Sequence, residues 1–237
     1  MTTTATERAG AVDWAAAESG MLEDGFARLP GLLTARECAE VRALWADERR
    51  FRSRIDMARH RFGIGEYRYF DHPLPPLVAE LRATLYPPLA EIANRWGELL
   101  GGETRFPAGL EEFLALCHRR GQHRPTPLVL RYEAGGYNAL HQDVYGDVTF
   151  PLQVVIGLSA PGDDYTGGEL VVVEQRPRAQ ARATAITLAR GEGALIATRE
   201  KPAEGARGHY RAALRHGVST VTSGTRSTLG IIFHDAA

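Results

Sequence analysis

Apolar positions along this chain change their period near residue 125. Upstream they recur every three or four residues. The stretch "LTARECAEVRALWADERR" opens with Thr34 and Glu37 in capping-box spacing and carries Val41, Leu44 and Trp45 on one face, which predicts a helix. "PPLVAELRATLYPPLAEIANRWGELLGG" predicts two helices broken at Pro87 and Pro88, the second ending near Gly101. "GLEEFLALCHRRG" predicts another that stops at Gly121. From Pro127 onward, short apolar runs alternate with Gly, Pro and Asp turns: "PLVLRY", "YNALHQD", "LQVVIGLS", "ELVVVEQ", "ATAITL", "GALIAT", "RHGVSTVT" and "RSTLGIIF". Eight short strands at near-regular spacing predict a barrel or jelly roll. No linker rich in Pro, Gly or Ser separates the halves, and no internal repeat is present. The expected architecture is therefore α+β: residues 1–20 a flexible, unprocessed start, 21–126 a helical scaffold, and 127–237 a strand core on which the helices pack as one structural domain.

Composition narrows this only slightly. The 237 residues are 44% apolar, as in an ordinary globular protein, and the net charge of -1 supplies no global drive toward nucleic acid or an anionic membrane. Two cysteines, Cys38 and Cys117, form neither a CxxC motif nor a disulfide framework, so a reducing, cytoplasmic setting is expected, with both thiols buried in helices. No apolar run approaches the roughly 18 residues of a membrane span. The N-terminal "MTTTATERAGAVDWAAAESG" lacks a basic leader and an uninterrupted apolar core. Lys201 is the single lysine among 28 basic residues, which with the many alanines suggests a GC-rich bacterial genome.

Candidate chemistry begins in "GGYNALHQDVYGD". Side chains alternate along a strand, so Tyr137, Ala139, His141 and Asp143 are expected on one face and Asn138, Leu140 and Gln142 on the other. With eight histidines in the chain, one His-x-Asp pair is unremarkable, and two polar residues on an edge strand would explain it. A third ligand changes the balance. In "LRHGVSTVTSGTRSTLGIIFHD", a three-residue hairpin loop at Thr222, Ser223 and Gly224 would pair Val221 with Thr225, Thr220 with Arg226, Val218 with Thr228 and His216 with Gly230. His216 and Arg226 then share a sheet face roughly 13 Å apart, at ~3.3 Å per residue. That gap suits a small dicarboxylate, and Gly230 would leave room for it. Two histidines and one carboxylate with the other positions open form the facial triad of non-haem Fe(II) oxygenases. The metal must be retained yet remain free to take a chelating co-substrate and dioxygen. Taken singly, His216 reads as a core histidine and Arg226 as an edge ion pair; their combination with His141 and Asp143 favours the metal. His234 is the rival third ligand, sharing strand parity with Arg226 but with no arginine downstream of it.

The order "HQD", "YTGGEL" and "HGVSTVTSGTRSTLGIIF" resembles the prolyl-4-hydroxylase-like branch of the 2-oxoglutarate- and Fe(II)-dependent dioxygenases, over about residues 127 to 235. The resemblance implies a double-stranded β-helix (jelly roll) core, Fe(II) held by His141, Asp143 and His216, and the 5-carboxylate of 2-oxoglutarate held by Arg226. It further implies a hydrogen bond from Tyr132, in "LVLRYEAGG", to the co-substrate, and a structural turn at Gly167 and Gly168. The activity implied consumes dioxygen, decarboxylates 2-oxoglutarate to succinate and oxidises a substrate C–H bond.

More narrowly, "ALHQDVYGD", "VVVEQRPRAQARA" and "GIIFHDA" are similar to a bacterial subgroup described as acting oxidatively on damaged nucleic acid. Between Val171 and Arg226, ten basic residues (Arg176, Arg178, Arg182, Arg190, Arg199, Lys201, Arg207, Arg211, Arg215, Arg226) face four acidic ones (Glu174, Glu192, Glu200, Glu204). That is either a surface for an anionic substrate or a solvated arginine-rich face. Arg176, Arg178 and Arg182 are expected at the barrel mouth, and Arg199, Lys201, Arg207 and Arg211 in a loop region leading to His216. Against nucleic acid stands the C-terminus, where only "STLGIIFHDAA" follows Arg226; the dealkylases usually carry a second arginine there, so the pattern is closer to the hydroxylases. Substrate choice thus stays open between damaged nucleic acid and protein prolyl or small-molecule hydroxylation. A cupin-type metal protein would gather several histidines near the first motif, and "HQDVYGDVTFPLQ" has no second one. A non-catalytic binding module would not need the ligands and Arg226 intact. Neither a membrane nor an obligate protein partner is expected.

Overall fold

In the computed structural model, which describes residues 3–143 and 146–237, the helical and strand halves interleave. Val144 and Tyr145 of the His-x-Asp segment lie outside the described residues. Helices α1 (Ala5–Gly10) and α2 (Trp14–Asp24) lead into β1 (Phe26–Leu29) and α3 (Ala35–Ala43). Strands β2 (Phe51–Asp56), β3 (Gly63–Ile64) and β4 (Glu66–Phe70) precede α4 (Pro76–Leu99) and α5 (Leu110–Arg119). Then follow β5 (Leu128–Glu133), β6 (Tyr137–His141), β7 (Leu152–Gly157), β8 (Tyr165–Gly167), β9 (Leu170–Gln175), β10 (Arg182–Ile186), β11 (Gly193–Ala197), β12 (Glu200–Gly205), β13 (Gly208–Val218) and β14 (Val221–Ile231). The eight expected runs fall on β5, β6, β7, β9, β10, β11, β13 and β14; β8 and β12 were not anticipated.

Two antiparallel sheets result. The larger runs β1-β11-β7-β14-β5-β4-β2 with β8 also on β14, and the smaller runs β10-β9-β13-β6-β3 with β12 on β13. Along the chain the eight expected strands pass between the sheets: β5 larger, β6 smaller, β7 larger, β9 and β10 smaller, β11 larger, β13 smaller, β14 larger. This winding is a double-stranded β-helix, or jelly roll.

Several expectations need correction. The described part of the N-terminus, from residue 3, is ordered and not a flexible start: Thr4 and Glu7 form a capping box on α1, and Ala5 and Ala9 are buried. The segment 21–126 is not purely helical, since β1 extends the larger sheet beyond β11, β4 and β2 extend it beyond β5, and β3 pairs with β6. The Thr34–Glu37 capping box is present, but α3 ends at Ala43 and Leu44–Ala46 continues as a 3-10 turn. Pro87 and Pro88 do not break the third helical segment; α4 runs straight through them. Each interior proline costs about 3 kcal/mol. The helix nevertheless buries ten side chains, among them Leu81, Leu85, Leu89 and Ile92, at about 1.5–3 kcal/mol for each large aliphatic one, so packing outweighs the breaks.

The expected hairpin at Thr222–Gly224 does not exist. β13 and β14 belong to different sheets, and β14 pairs instead with β5, β7 and β8. Gly224 does adopt the left-handed conformation (φ 72°), but it uses it to pass Tyr165, where a Cβ would lie 2.1 Å from the Asp164 carbonyl oxygen. The main core lies between the helices and the larger sheet, where Tyr86 stacks on Phe113 and packs with Phe150 and Phe233. A second, smaller cluster of Met57, Tyr132, Tyr165, Val218 and Val221 contains residues of both sheets, and several of its members line or adjoin a cavity.

Candidate active site

Strand pairing brings the histidines together. His216 on β13 lies directly across from His141 at the end of β6, with ring centroids 4.3 Å apart, as cross-strand neighbours should be. Asp143 follows β6, its N–H donating to the Thr198 carbonyl at 3.1 Å. Its Oδ1 is 3.5 Å from His141 Nε2 and its Oδ2 3.1 Å from His216 Nε2. One ligand atom from each of the three lies within 4.8 Å of the others. The simple face alternation expected for β6 fails, because Val218 pairs with Asn138 while His216 pairs with His141. Ala139 and Leu140 thus oppose the lone Gly217, a bulge that brings Asn138 to the cavity lining with His141. Only glycine fits opposite it, since a Cβ on Gly217 would lie 2.6 Å from the Asn138 carbonyl oxygen.

The electrostatics suit a cation. His141 Nδ1 is 2.8 Å from the Ala139 carbonyl oxygen and donates to it, which leaves the Nε2 lone pair facing Asp143. Burial lowers the His141 pKa, but the hydrogen bond and charge of Asp143 more than offset that and leave it raised. Burial raises the Asp143 pKa; the two imidazoles outweigh it and hold the carboxyl well below its usual range. Gln153, from β7 on the opposite sheet, donates to Asp143 Oδ2 at 2.7 Å. An ionised carboxylate and two imidazoles converging from one side form a donor set for a first-row divalent metal with open positions.

Arg226 faces this cluster from the other sheet. It sits on β14 beside Tyr132 of β5 and lines the same cavity, of about 370 Å³. The shared placement of His216 and Arg226 was expected, though the reason given for it was not correct: they oppose one another across the sandwich and not along a hairpin. Arg226 is 2% exposed, yet its Nε and Nη1 reach no acceptor, and no carboxylate among the described residues lies within ion-pair distance. The Tyr165 hydroxyl interacts with the guanidinium. Gly168 (φ 65°) lets the chain pass the arginine stem, since a Cβ there would lie 2.8 Å from Arg226 Cδ. Tyr132 is wholly buried; burial pushes its pKa up to about 12, which the nearby Arg226 charge and Asn138 side chain only partly offset, so its hydroxyl remains a donor, and it has no partner at full hydrogen-bond geometry. Thr228, two residues beyond Arg226, also lines the cavity. Buried N–H groups without acceptors are costly. A carboxylate ligand would satisfy them, so the residues present fit both the metal and a dicarboxylate co-substrate.

Other candidates fall away from this cavity. His234 is fully buried, its Nδ1 accepts from the Phe150 N–H at 3.2 Å, and burial lowers its pKa to about 4; it is a core histidine and does not line the cavity. Of the ten basic residues between 171 and 226, only Arg226 lines the cavity. Arg199 and Arg207 lie in the connections on either side of β12, as expected, but none of the arginines expected at the mouth lines the cavity, and Lys201 and Arg211 are not in loops. Lys201 lies in β12, wholly buried, with its ammonium on the Leu22 and Glu23 carbonyls, and Arg211 lies in β13 paired with Glu200. Sequence reasoning missed Gln153, Tyr165, Tyr67, Tyr69, Arg61 and Phe62 at or beside the cavity. Gln153 had a signal, being the polar residue in the otherwise apolar "LQVVIGLS"; the last four lie in the half read as helical.

Comparison with known proteins defines the class. The fold is similar to that of a Pseudomonas putida prolyl-4-hydroxylase (TM-score 0.54, 14% identity, 94% of this chain and 100% of that one). It is also similar to a Trichoplax adhaerens prolyl hydroxylase in complex with a hypoxia inducible factor peptide fragment (TM-score 0.57, 14% identity, 97% and 91%). A protein of Mycobacterium tuberculosis, the uncharacterized protein Rv2227, is 49% identical over 182 residues, covering 75% of this chain and 78% of the relative. Residues 65–236 match the family model Oxygenase-NA, described as "Oxygenase, catalysing oxidative methylation of damaged DNA". With the jelly roll and the His-Asp-His cluster, that match makes the protein a 2-oxoglutarate- and Fe(II)-dependent dioxygenase. The chain belongs to the Oxygenase-NA family. Among the described residues no helix is long and apolar enough to cross a membrane.

Proposed function

We propose that His141, Asp143 and His216 hold the catalytic Fe(II), that Arg226 and Tyr132 anchor the distal carboxylate of 2-oxoglutarate, and that the substrate is a damaged nucleobase. The observation that carries this reading is one cavity with the ligand triad on one sheet and, on the other, a buried arginine whose N–H groups lack acceptors. Fe(II) with 2-oxoglutarate and dioxygen supplies the oxidation of a substrate C–H bond, with succinate and carbon dioxide as co-products. The chain's own residues bind and orient. The Ala139 carbonyl fixes the His141 tautomer, Gln153 holds the Asp143 carboxylate, and Arg226 with Tyr132 and Thr228 sets the direction in which a dicarboxylate enters. Arg226 is closed off while the His141 side chain is 33% exposed, so substrate approaches from the His141 side. The family description supports a nucleic-acid substrate. Two free, buried cysteines support a cytoplasmic setting.

Two measurements test this. Anaerobic protein with Fe(II) and 2-oxoglutarate should develop a weak visible charge-transfer band; its absence would remove the iron assignment. Succinate formation should then be stimulated by single-stranded DNA carrying an N-methylated base. Stimulation by a proline-rich peptide, with none by DNA or RNA, would replace the nucleobase reading with protein hydroxylation.

A further inference from the structure

Four of the five large hydrophobic side chains exposed among the described residues gather in one place. Phe62 (46% exposed), Ile64 (52%), Tyr137 (39%) and Leu140 (47%) lie on two short segments tied to each other: Gly63 and Ile64 pair with Asn138 and Tyr137, and the Ala139 N–H donates to the Phe62 carbonyl at 2.7 Å. Phe62 and Leu140 also line the cavity, on the side where His141 is open. An apolar rim so placed requires an occupant.

Charge and shape indicate which one. Arg61 and Arg226 are the arginines of the cavity lining, and among the described residues Arg61 has no carboxylate partner. Arg61 holds a left-handed backbone (φ 59°, ψ 28°), which a non-glycine residue seldom adopts; it ends the short Met57–His60 helical turn and sends the chain into Phe62. The Phe62 ring is stacked on His60, with centroids 5.4 Å apart and planes at 21°, and Phe62 shares the cavity lining with the unpaired Arg61. A flat apolar face next to a cation is the pairing that takes up an unstacked base and its phosphate. A peptide added as a further strand would find little here, since the edge strand, Gly63–Ile64, is only two residues long. The ligand triad lies inside the sandwich, beyond the reach of a base stacked within a duplex.

We infer that Phe62, Leu140 and Arg61 form the recognition rim for a single-stranded nucleic acid, with a base stacked on Phe62 and a phosphate on Arg61 while the damaged base enters the cavity. The inference rests on the nucleobase reading above. It assigns no contact to the other nine basic residues between 171 and 226, which lie off the cavity.

The test uses the full chain loaded with Fe(II), a single-stranded DNA oligonucleotide carrying an N-methylated base, the same oligonucleotide in a duplex, and a proline-rich peptide. Wild type should prefer the single strand. Phe62→Ala should raise KM for the oligonucleotide about tenfold, the loss of one base–aromatic stack. Arg61→Gln should reduce the salt dependence of binding by about 0.7 in the log–log slope, one phosphate on a single strand. Arg178→Gln combined with Arg207→Gln, both exposed and off the cavity, should change neither quantity. If wild type oxidises the oligonucleotide while Phe62→Ala and Arg61→Gln leave KM and slope unchanged, the rim assignment is wrong and the substrate reading survives. Turnover of the peptide alone would overturn both.

Discussion

Arg82 and Arg226 are each 2% exposed, and the protein treats them in opposite ways. Arg82, on α4 in the core between helices and larger sheet, donates to the Ile232 and Phe233 carbonyls and to Asp235 Oδ1, at 2.7 to 3.0 Å. Asp235 is held in turn by His118 at 3.0 Å. Arg226, in the space between the sheets, has two nitrogens with no acceptor and, among the described residues, no carboxylate within ion-pair distance. A buried guanidinium stays charged, so the difference lies in what completes it. For Arg82 the chain supplies the partners itself; for Arg226 two buried N–H groups are left without one. The two buried histidines differ as well. His234 is kept neutral in the core, whereas His216 shares a carboxylate with His141 in an accessible cavity.

The largest effect expected from this contrast concerns the triad. Asp143→Ala or His216→Ala should abolish both the anaerobic charge-transfer band and succinate formation, because two remaining ligands retain the metal poorly. An undiminished band in either variant would move the metal elsewhere.

Swapping the same truncation between the two arginines sharpens the comparison most directly. Arg226→Ala should weaken 2-oxoglutarate binding by about 3 kcal/mol or more, roughly a hundredfold in KM, while thermal stability holds, because no internal ion pair is lost. Arg82→Ala should do the reverse, lowering stability by about 3–5 kcal/mol, since Asp235 is left buried without its main partner. Calorimetry and co-substrate titration on both variants would show whether the roles separate; equal stability losses would erase the distinction.

Smaller effects are expected from groups acting through these residues. Gln153→Ala should lower Fe(II) affinity about 10- to 100-fold, measured by metal titration, because the Asp143 carboxylate loses the donor that holds it. Tyr132→Phe removes one neutral donor and should raise the 2-oxoglutarate KM by about tenfold or less, about 1 kcal/mol, with iron binding unaltered. A change in iron affinity there would place Tyr132 nearer the metal than the cavity geometry does.

Much of the architecture was legible because it is local. Alternating β-branched runs between Gly, Pro and Asp turns located all eight strands of the jelly roll, and Thr34–Glu37 marked the start of a real helix. The same S/T-x-x-E pattern at Thr4–Glu7 was in plain view and would have found α1. Pro87 and Pro88 misled because a local cost was weighed without the ten side chains α4 buries. The hairpin drawn through Thr222–Gly224 misled for a related reason. Gly224 signals a left-handed residue, but whether that residue closes a turn or passes a third strand depends on Tyr165, about sixty residues away in sequence.

The amino-acid order alone supplied the candidate chemical groups: His141, Asp143, His216 and Arg226, in or beside short runs whose apolar alternation marks them as strands. Tertiary structure decided how they meet. Placing β13 and β14 in opposite sheets sets His216 against Arg226 across a cavity, the β6 bulge brings Asn138 to the cavity lining, and β3 with its preceding turn carries Arg61 and Phe62 to the mouth. Side-chain direction repeats over two residues and can be counted, whereas strand neighbours are chosen by long-range burial of whole sheet faces, which no short window of sequence contains.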